Sequence, residues 1–111
     1  MPSRTITNVA AELIPRNKYR KSVLFQNEDT AINIFIKLEP PAFTTVSTTD
    51  HDHRIPPGGW VSLDLMADGA AQVCDRFTVI AASGTPRISI VETEIIERQY
   101  GESVPTGRRV E

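Results

Sequence analysis

The sequence predicts an all-β fold, and two patterns support this prediction. No window of about ten residues shows the helical repeat of about 3.6 residues. Instead, short apolar runs with a period of two recur between clusters of Gly, Pro, Asn, Asp and Ser, which is typical of strands joined by turns. With 111 residues, the chain is long enough for one domain with one hydrophobic core.

The clearest strand signals lie in the first part of the chain. A short strand is expected around residues 5–12, and a compact apolar strand over Ser22 to Gln26. The next strand has one aliphatic face that belongs to the core, formed by Ile32, Ile34, Ile36 and Leu38. Pro40 and Pro41 end this strand, because proline cannot donate to a β-ladder.

Further strands are predicted in the second part. The elements in order are an exposed edge strand or extended segment over 42–49, a polar loop over 50–59, strands over 60–65 and 76–82, turns over 67–70 and 83–86, and a last strand over 87–96. In the strand over 60–65, Val61, Leu63 and Leu65 are expected to face the core, and Trp60, Ser62 and Asp64 the other side.

These elements sum to about seven or eight strands, the number expected of a two-sheet sandwich or jelly roll. The predicted fold is therefore a jelly-roll-like antiparallel β-sandwich with extended termini. It occupies residues 1–111 as one domain, with an N-terminal arm or strand over 1–12, the core sandwich over 13–96 and a polar C-terminal tail over 97–111.

Composition argues against several partners. The net charge of −2 gives no broad positive field for nucleic acid. No apolar run approaches the roughly 20 residues needed to cross a bilayer, and the N-terminus lacks the apolar core of a secretory signal, so we expect synthesis in the cytoplasm without membrane contact. Cys74 is the only cysteine, which excludes an intrachain disulfide and a multi-cysteine zinc site, and we expect it to be buried.

His51 and His53 form the one pattern that could bind a metal. At positions i and i+2 they would project from the same side of an extended segment toward one ion. A third histidine is missing from the sequence, and Arg54-Ile55-Pro56-Pro57 follows instead of the glutamate found in cupins. A solvated loop is therefore the favoured interpretation, the metal site is a weak alternative, and no cofactor is expected.

No catalytic residue can be assigned from the sequence. Ser83-Gly84 lacks the Gly-x-Ser-x-Gly elbow of a nucleophile, and Gly58-Gly59 lacks the lysine of a phosphate-binding loop. Both pairs read as turn residues, and we expect the protein not to be an enzyme.

Two further sets of residues could contact a partner. Four cations within six residues, Arg16, Lys18, Arg20 and Lys21, could dock on an acidic protein surface or on phosphate, or simply form a solvated loop. Three aromatic residues, Trp60, Tyr19 and Tyr100, could stack on a sugar, although such scattered aromatics more often serve a core or an interface.

Several segments, taken in order, carry a resemblance. They are Leu13-Ile14-Pro15-Arg16-Asn17, Arg20-Lys21-Ser22, Gln26-Asn27, Asp29-Thr30, Pro57-Gly58-Gly59 and Ala81-x-Ser83-Gly84-Thr85. They resemble the small β-sandwich virion proteins and fibre modules of tailed bacteriophages, over about residues 13–95. In length and layout the chain looks most similar to the capsid decoration, or staple, proteins of short-tailed Salmonella bacteriophages.

The resemblance implies a jelly-roll-like virion protein without chemistry of its own. Such a protein binds the outer surface of the assembled capsid, pairs with a second copy as a homodimer and staples neighbouring major capsid subunits, which stabilises the shell. The family offers no catalytic residues to carry over. Our hypotheses for partner contacts are Ile6, Val9, Arg16, Arg20, Tyr100 and Arg108.

Two other functions remain open at this point. One is a receptor- or carbohydrate-binding module of a phage tail or fibre, which would use Trp60 or Tyr100. The other is a small metal-dependent, cupin-like enzyme, which would depend on His51 and His53.

Overall fold

A computed structural model of the chain describes residues 3–39 and 44–95. Its elements are β1 (Ser3–Thr5), β2 (Ala11–Ile14), β3 (Arg20–Asn27), β4 (Ile34–Leu38), β5 (His53–Ile55), β6 (Trp60–Asp64), α1 (Leu65–Asp68), α2 (Ala70–Val73), β7 (Phe77–Ala81) and β8 (Arg87–Glu94). The prediction of an all-β sandwich with seven or eight strands is confirmed. Over these residues, no helix is long and apolar enough to span a membrane.

The eight strands form two four-stranded antiparallel sheets. Sheet A has the order β1-β8-β3-β6, and sheet B has the order β2-β7-β4-β5. Four of the pairings, β4 with β5, β3 with β6, β2 with β7 and β1 with β8, are those of one long hairpin centred on the β4–β5 connection. Two more pairings, β3 with β8 and β4 with β7, close this hairpin into two layers.

The hydrophobic core lies between the two sheets. Sheet A contributes Val23, Phe25, Leu63, Ile88 and Ile90, and sheet B contributes Leu13, Ile14, Ile34, Ile36, Ile55, Phe77, Val79 and Ala81. The rings of Phe25 and Phe77 meet across the layers, with centroids 5.1 Å apart. The predicted aliphatic face of β4 and the core position of Leu63 are confirmed, and Cys74 is buried as expected.

Several local predictions were wrong. In place of the one short strand expected around residues 5–12, β1 ends at Thr5 and β2 begins at Ala11. Of the edge strand or extended segment predicted over 42–49, the described residues 44–49 form no strand. Strand β5 lies inside the predicted polar loop because His53–Ile55 pairs with β4. The predicted turn over 67–70 falls within two short helices, α1 and α2. Leu65 begins α1 rather than ending a strand, since the Asp64 side chain caps the helix by accepting from the Met66 N–H at 3.1 Å.

One end of the sandwich is organised around the side chain of Arg20. This residue begins β3 and is 1% exposed. Its guanidinium donates to the carbonyl oxygens of Pro15, Val73 and Asp75 at 2.7, 2.8 and 2.9 Å. It also pairs with the Glu92 carboxylate of β8 at 3.0 Å. A buried charge is tolerated here because it has an opposite charge and several acceptors.

The other end of β3 is fixed by Asn27, which is fully buried. Its amide nitrogen donates to the carbonyl oxygens of Ile32 and Ile55 at 2.7 and 3.0 Å, and its amide oxygen accepts from the Asp29 N–H at 2.9 Å. The side chain thereby joins sheet A to the turn before β4 and to β5. Both ends of β3, the strand between β6 and β8, are thus held by buried polar side chains.

Replacing Arg20 tests the first of these anchors. We expect Arg20→Met to lower the free energy of unfolding by roughly 3–5 kcal/mol, because the three carbonyl groups and Glu92 lose their donor. Urea denaturation at neutral pH measures this change. Arg16→Met is the matched control, since Arg16 is exposed in the same segment, and it should change stability by less than about 0.5 kcal/mol. Equal effects of both substitutions would contradict the anchoring role.

Candidate binding face

The outer face of sheet A is the candidate site. It comprises seven of the side chains that alternate with core residues along β3, β6 and β8: Ser22, Leu24, Gln26, Trp60, Ser62, Val91 and Thr93. We call this set the open face, because all seven side chains are exposed or half-buried. None of these seven is charged; Asp64, the last residue of β6, pairs with Ser22 on the same side, and its carboxylate accepts from the Met66 N–H at 3.1 Å. Leu24 lies at its centre, paired with Ser62 on one side and Val91 on the other.

The open face contains a shallow depression of about 330 Å³, lined by Leu24, Gln26, Trp60 and Ser62. These four residues form two cross-strand pairs, Leu24 with Ser62 and Gln26 with Trp60. The Trp60 side chain is 64% exposed, since β6 is an edge strand and no neighbouring strand shields the indole. A large exposed aromatic beside neutral polar groups is the composition found at the centre of protein interfaces.

The charged groups near the open face lie at its margin and form hydrogen bonds there. The Glu28 carboxylate accepts hydrogen bonds from the hydroxyl groups of Ser3 and Ser89. The Arg87 guanidinium donates to the hydroxyl oxygens of Ser3 and Thr5 at 3.2 and 3.3 Å. The centre of the face is therefore neutral, and a partner could cover it without burying an unpaired charge.

Sheet B differs, because the segment over 44–52 covers its outer face. Glu39 follows β4 and is 2% exposed. Its carboxylate accepts from the Thr45 N–H and hydroxyl at 2.5 and 2.7 Å and from the Val46 N–H at 3.2 Å. It also accepts from the Thr78 hydroxyl of β7. Val46 is thereby held in a buried position, 3% exposed.

Two further contacts hold this covering segment. Lys37 Nζ donates to the Asp50 carboxylate at 2.8 Å and to the Thr45 hydroxyl at 3.0 Å. The ring of His51 packs on the ring of Phe35, with centroids 4.6 Å apart. Because the chain covers this face with its own residues, only the outer face of sheet A is available over a comparable area of the described residues.

The pKa of Glu39 is lowered although the residue is buried. Burial by itself raises the pKa, but the hydrogen bonds from Thr78, Thr45 and Val46 stabilise the ionised form and outweigh it. The carboxylate is thus an ionised anchor between the covering segment and sheet B.

The two histidines do not converge on one point. The His51 ring contacts Phe35, which lies on the outer side of β4, whereas His53 is paired with Ile36, whose side chain faces the core. Within residues 3–39 and 44–95 no group of three or more His, Cys, Asp or Glu side chains could hold a metal ion. The idea that both histidines project from one side of an extended segment was therefore wrong.

The predicted contact residues have different positions in the structure. Val9 and Arg16 are exposed, with 67% of Val9 accessible, so both stay candidates for partner contact. Ile6 is 3% exposed in the core and Arg20 is 1% exposed in its own network, which corrects their assignment as contacts: both stabilise the fold. Tyr100 and Arg108 lie outside the described residues.

The basic segment and the aromatic residues are also separated. Lys18 and Lys21 are exposed like Arg16, and Lys18 Nζ lies 5.2 Å from the centroid of the Tyr19 ring. Tyr19 precedes β3, whereas Trp60 is paired with Gln26 near the opposite end of that strand. At a rise of about 3.3 Å per residue, they are roughly 20 Å apart along the strand and cannot stack on one sugar ring.

Some residues of the site escaped sequence analysis. Trp60 was expected to face away from the core, but Leu24 and Gln26 were assigned only to a compact apolar strand. Alternation with Val23 and Phe25 is a signal that could have placed them on the opposite face. No sequence pattern pointed to the buried position of Glu39. Its partner Thr78 is distant in sequence, and its partner Thr45 lies beyond Pro40 and Pro41.

Comparison with known proteins gave no match: no family model, no curated protein and no solved structure is similar to this chain.

Removing the Glu39 charge should destabilise the fold in a pH-dependent manner. Because the pKa in the folded protein lies below its ordinary value of 4.5, the carboxylate stabilises the fold fully above that pH, and this contribution is lost as the pH falls through the lowered pKa. Glu39→Gln should cost roughly 1–3 kcal/mol at pH 7, since the amide cannot accept from all these donors.

Urea denaturation of both proteins between neutral pH and pH 3 measures this effect. The stability difference between the wild type and Glu39→Gln should be constant near neutrality and shrink below about pH 4.5. A difference that stays the same throughout would show that the charge of Glu39 does not hold the covering segment.

Proposed function

We propose that this chain is a non-enzymatic structural protein of a bacteriophage virion, which binds the outer surface of the capsid and staples neighbouring major capsid subunits. Its partners in this proposal are the major capsid protein and a second copy of itself. The observation that carries the proposal is the open face of sheet A, a neutral surface with Leu24 at its centre and Trp60 at its edge. A surface of this kind fits protein binding.

The strand order supports the same proposal. A strip of eight strands paired first to last and folded into the orders β1-β8-β3-β6 and β2-β7-β4-β5 is the arrangement we interpret as a jelly roll, a fold common in viral capsid proteins. The resemblance of the sequence to decoration proteins of tailed phages agrees with this interpretation. Fold alone does not determine function, so the site has to be tested directly.

Capsid binding is tested by co-sedimentation with expanded, DNA-free shells assembled from the major capsid protein of the same phage. We expect saturable binding at a fixed ratio to the capsid subunit. Leu24→Lys and Val91→Lys should each weaken binding by at least about tenfold, because each places an unpaired charge in the covered centre of the open face.

Met66→Lys is the matched control for these variants. Met66 is 88% exposed and lies outside the open face, so its substitution should leave binding unchanged. Thermal unfolding monitored by circular dichroism establishes that each variant is folded. Failure of the folded wild-type protein to bind shells would contradict the proposal, and normal binding by both lysine variants would remove the open face from it.

One observation favours a second function, a receptor- or carbohydrate-binding module of a tail or fibre. The exposed Trp60 indole lies beside the Gln26 amide and the Ser62 hydroxyl, and sugars are bound by an aromatic surface with polar groups around it. Glycan-array binding that is lost in Trp60→Ala, together with no binding to shells, would favour this alternative.

A further inference from the structure

The four edge strands of the two sheets are not equally protected against pairing with another chain. The edges are β1 and β6 in sheet A, and β2 and β5 in sheet B. Exposed edges usually carry a device that prevents strand addition, such as short length, a bulge, a charge or a proline. Three of the four edges have one.

Strands β1 and β5 contain three residues each, with Arg4 and Arg54 as their central residues. Strand β2 has a register shift between Glu12 and Ile14, and the carbonyl oxygens of Glu12 and Leu13 accept from the Arg4 guanidinium. By contrast, β6 has five residues in unbroken register with β3 and contains no Lys, Arg or Pro; its one charged residue is Asp64 at its last position.

The hydrogen bonds at the start of β6 show which of its backbone groups are free. The Asn27 N–H donates to the Gly59 carbonyl at 2.9 Å, and the Asn27 carbonyl accepts from the Gly58 N–H at 3.1 Å, so both backbone groups of Asn27 point toward the β6 side of β3. Backbone groups along a strand point to the same neighbour at every second residue, so those of Phe25 also point toward β6 and form a hydrogen-bonded pair with Val61. The N–H and C=O groups of Trp60 and Ser62 therefore point away from β3, toward the open edge.

Only a short stretch of this edge, which we call the free window, offers unpaired backbone groups, because the groups at both of its ends are unavailable. The Asp64 N–H also points outward, but it donates to the Asp68 carboxylate at 2.9 Å. Before β6, Pro56 and Pro57 have no N–H to offer. Over the part of the chain that the structure describes, Trp60 and Ser62 are thus the two residues of this edge that offer both a donor and an acceptor.

We propose that β6 pairs antiparallel with β6 of a second copy of this chain, with Val61 on the twofold axis. In this register Trp60 lies opposite Ser62 of the second copy. The N–H and C=O groups of Trp60 and Ser62 in both copies, four donors and four acceptors in all, then bond to one another. Asp64 lies opposite Gly58, so no like charges face each other. The inference rests on the part of the proposed function in which two copies act together, and it locates their contact.

A second copy fits this edge better than a foreign strand. An unrelated extended segment would form the same backbone bonds but would cover one Trp60 side chain. Self-pairing brings two of these 64% exposed indoles into the contact, each against the Ser62 and Leu24 region of the other copy. The neutral side chains of the open face bring no repulsion to this contact.

The test uses the purified full chain without shells, so that failure of dimerisation and failure of capsid binding are distinguishable. Sedimentation equilibrium from low micromolar to millimolar concentration should show a mass rising toward twice the 12.3 kDa of one chain. Trp60 is the only tryptophan, and its emission should shift to the blue, with less iodide quenching, over the same range. A monomer at every concentration would overturn the proposal.

Ser62→Pro removes one free N–H and should raise the dissociation constant of the dimer at least about tenfold. The variant should still fold, because an edge position whose N–H points outward tolerates proline. Ser62→Ala keeps the N–H and is the matched control, expected to dimerise like the wild type. Dimerisation of folded Ser62→Pro with unchanged affinity would overturn the proposal.

Cysteine cross-linking tests the register independently of proline. Val61→Cys should form a disulfide with its twin, because directly opposite residues in a non-hydrogen-bonded pair have Cα atoms about 4.5 Å apart. Ser62→Cys is the control, since its twin would lie on the diagonal, about 7–8 Å away. Equal cross-linking of both variants, or none with Val61→Cys, would contradict this register.

Discussion

The buried guanidinium of Arg20 is the interaction on which one end of the sandwich depends. The segment before β3, the end of α2, the approach to β7 and strand β8 all meet at this one side chain. Guanidinium is suited to this position because it offers five N–H donors in a fixed plane and stays charged. Its carbon lies 5.6 Å from the centroid of Phe77, which joins the polar anchor to the aromatic pair of the core.

A second constraint decides which surface of the molecule is free. The connection between β4 and β5 begins at Glu39, and the hydrogen bonds to this buried carboxylate fold residues 44–52 back over sheet B. Sheet A has no comparable covering segment among the described residues. The asymmetry between the two outer faces therefore follows from this buried acid together with the contacts of Lys37 and His51, although all three act on the sheet opposite to the candidate site.

Local alternation allowed the strands and the core to be predicted where one face of a strand is apolar and the other polar. Ile34 and Ile36 and the outward position of Trp60 followed from this rule. The rule fails for β5, whose three residues depend on pairing with β4, and for the short helices after Asp64. It also fails for Arg20, because a cation in a polar segment gives no local sign of four acceptors brought from elsewhere in the chain.

The candidate site was only half predictable for the same reason. Alternation identifies the outward side of β6, but the neutral face requires the register of β3 between β6 and β8, which is a long-range property. The free edge depends further on which residues of β6 direct their backbone groups away from β3, which the hydrogen bond between Asn27 and Gly59 fixes. It also depends on the Asp68 carboxylate, which accepts from the Asp64 N–H. None of these pairings leaves a pattern within a short window of sequence.

The open face and the free edge can serve two partners at once, because the edge uses backbone groups that point along the plane of the sheet, whereas the side chains at the centre of the face, Leu24 and Val91, point perpendicular to it. Two sheets joined by antiparallel β6 strands are related by a twofold axis perpendicular to the sheet, so both open faces lie on the same side. A dimer of this kind would present a doubled neutral face to one surface, and two linked weak contacts bind more tightly than either alone.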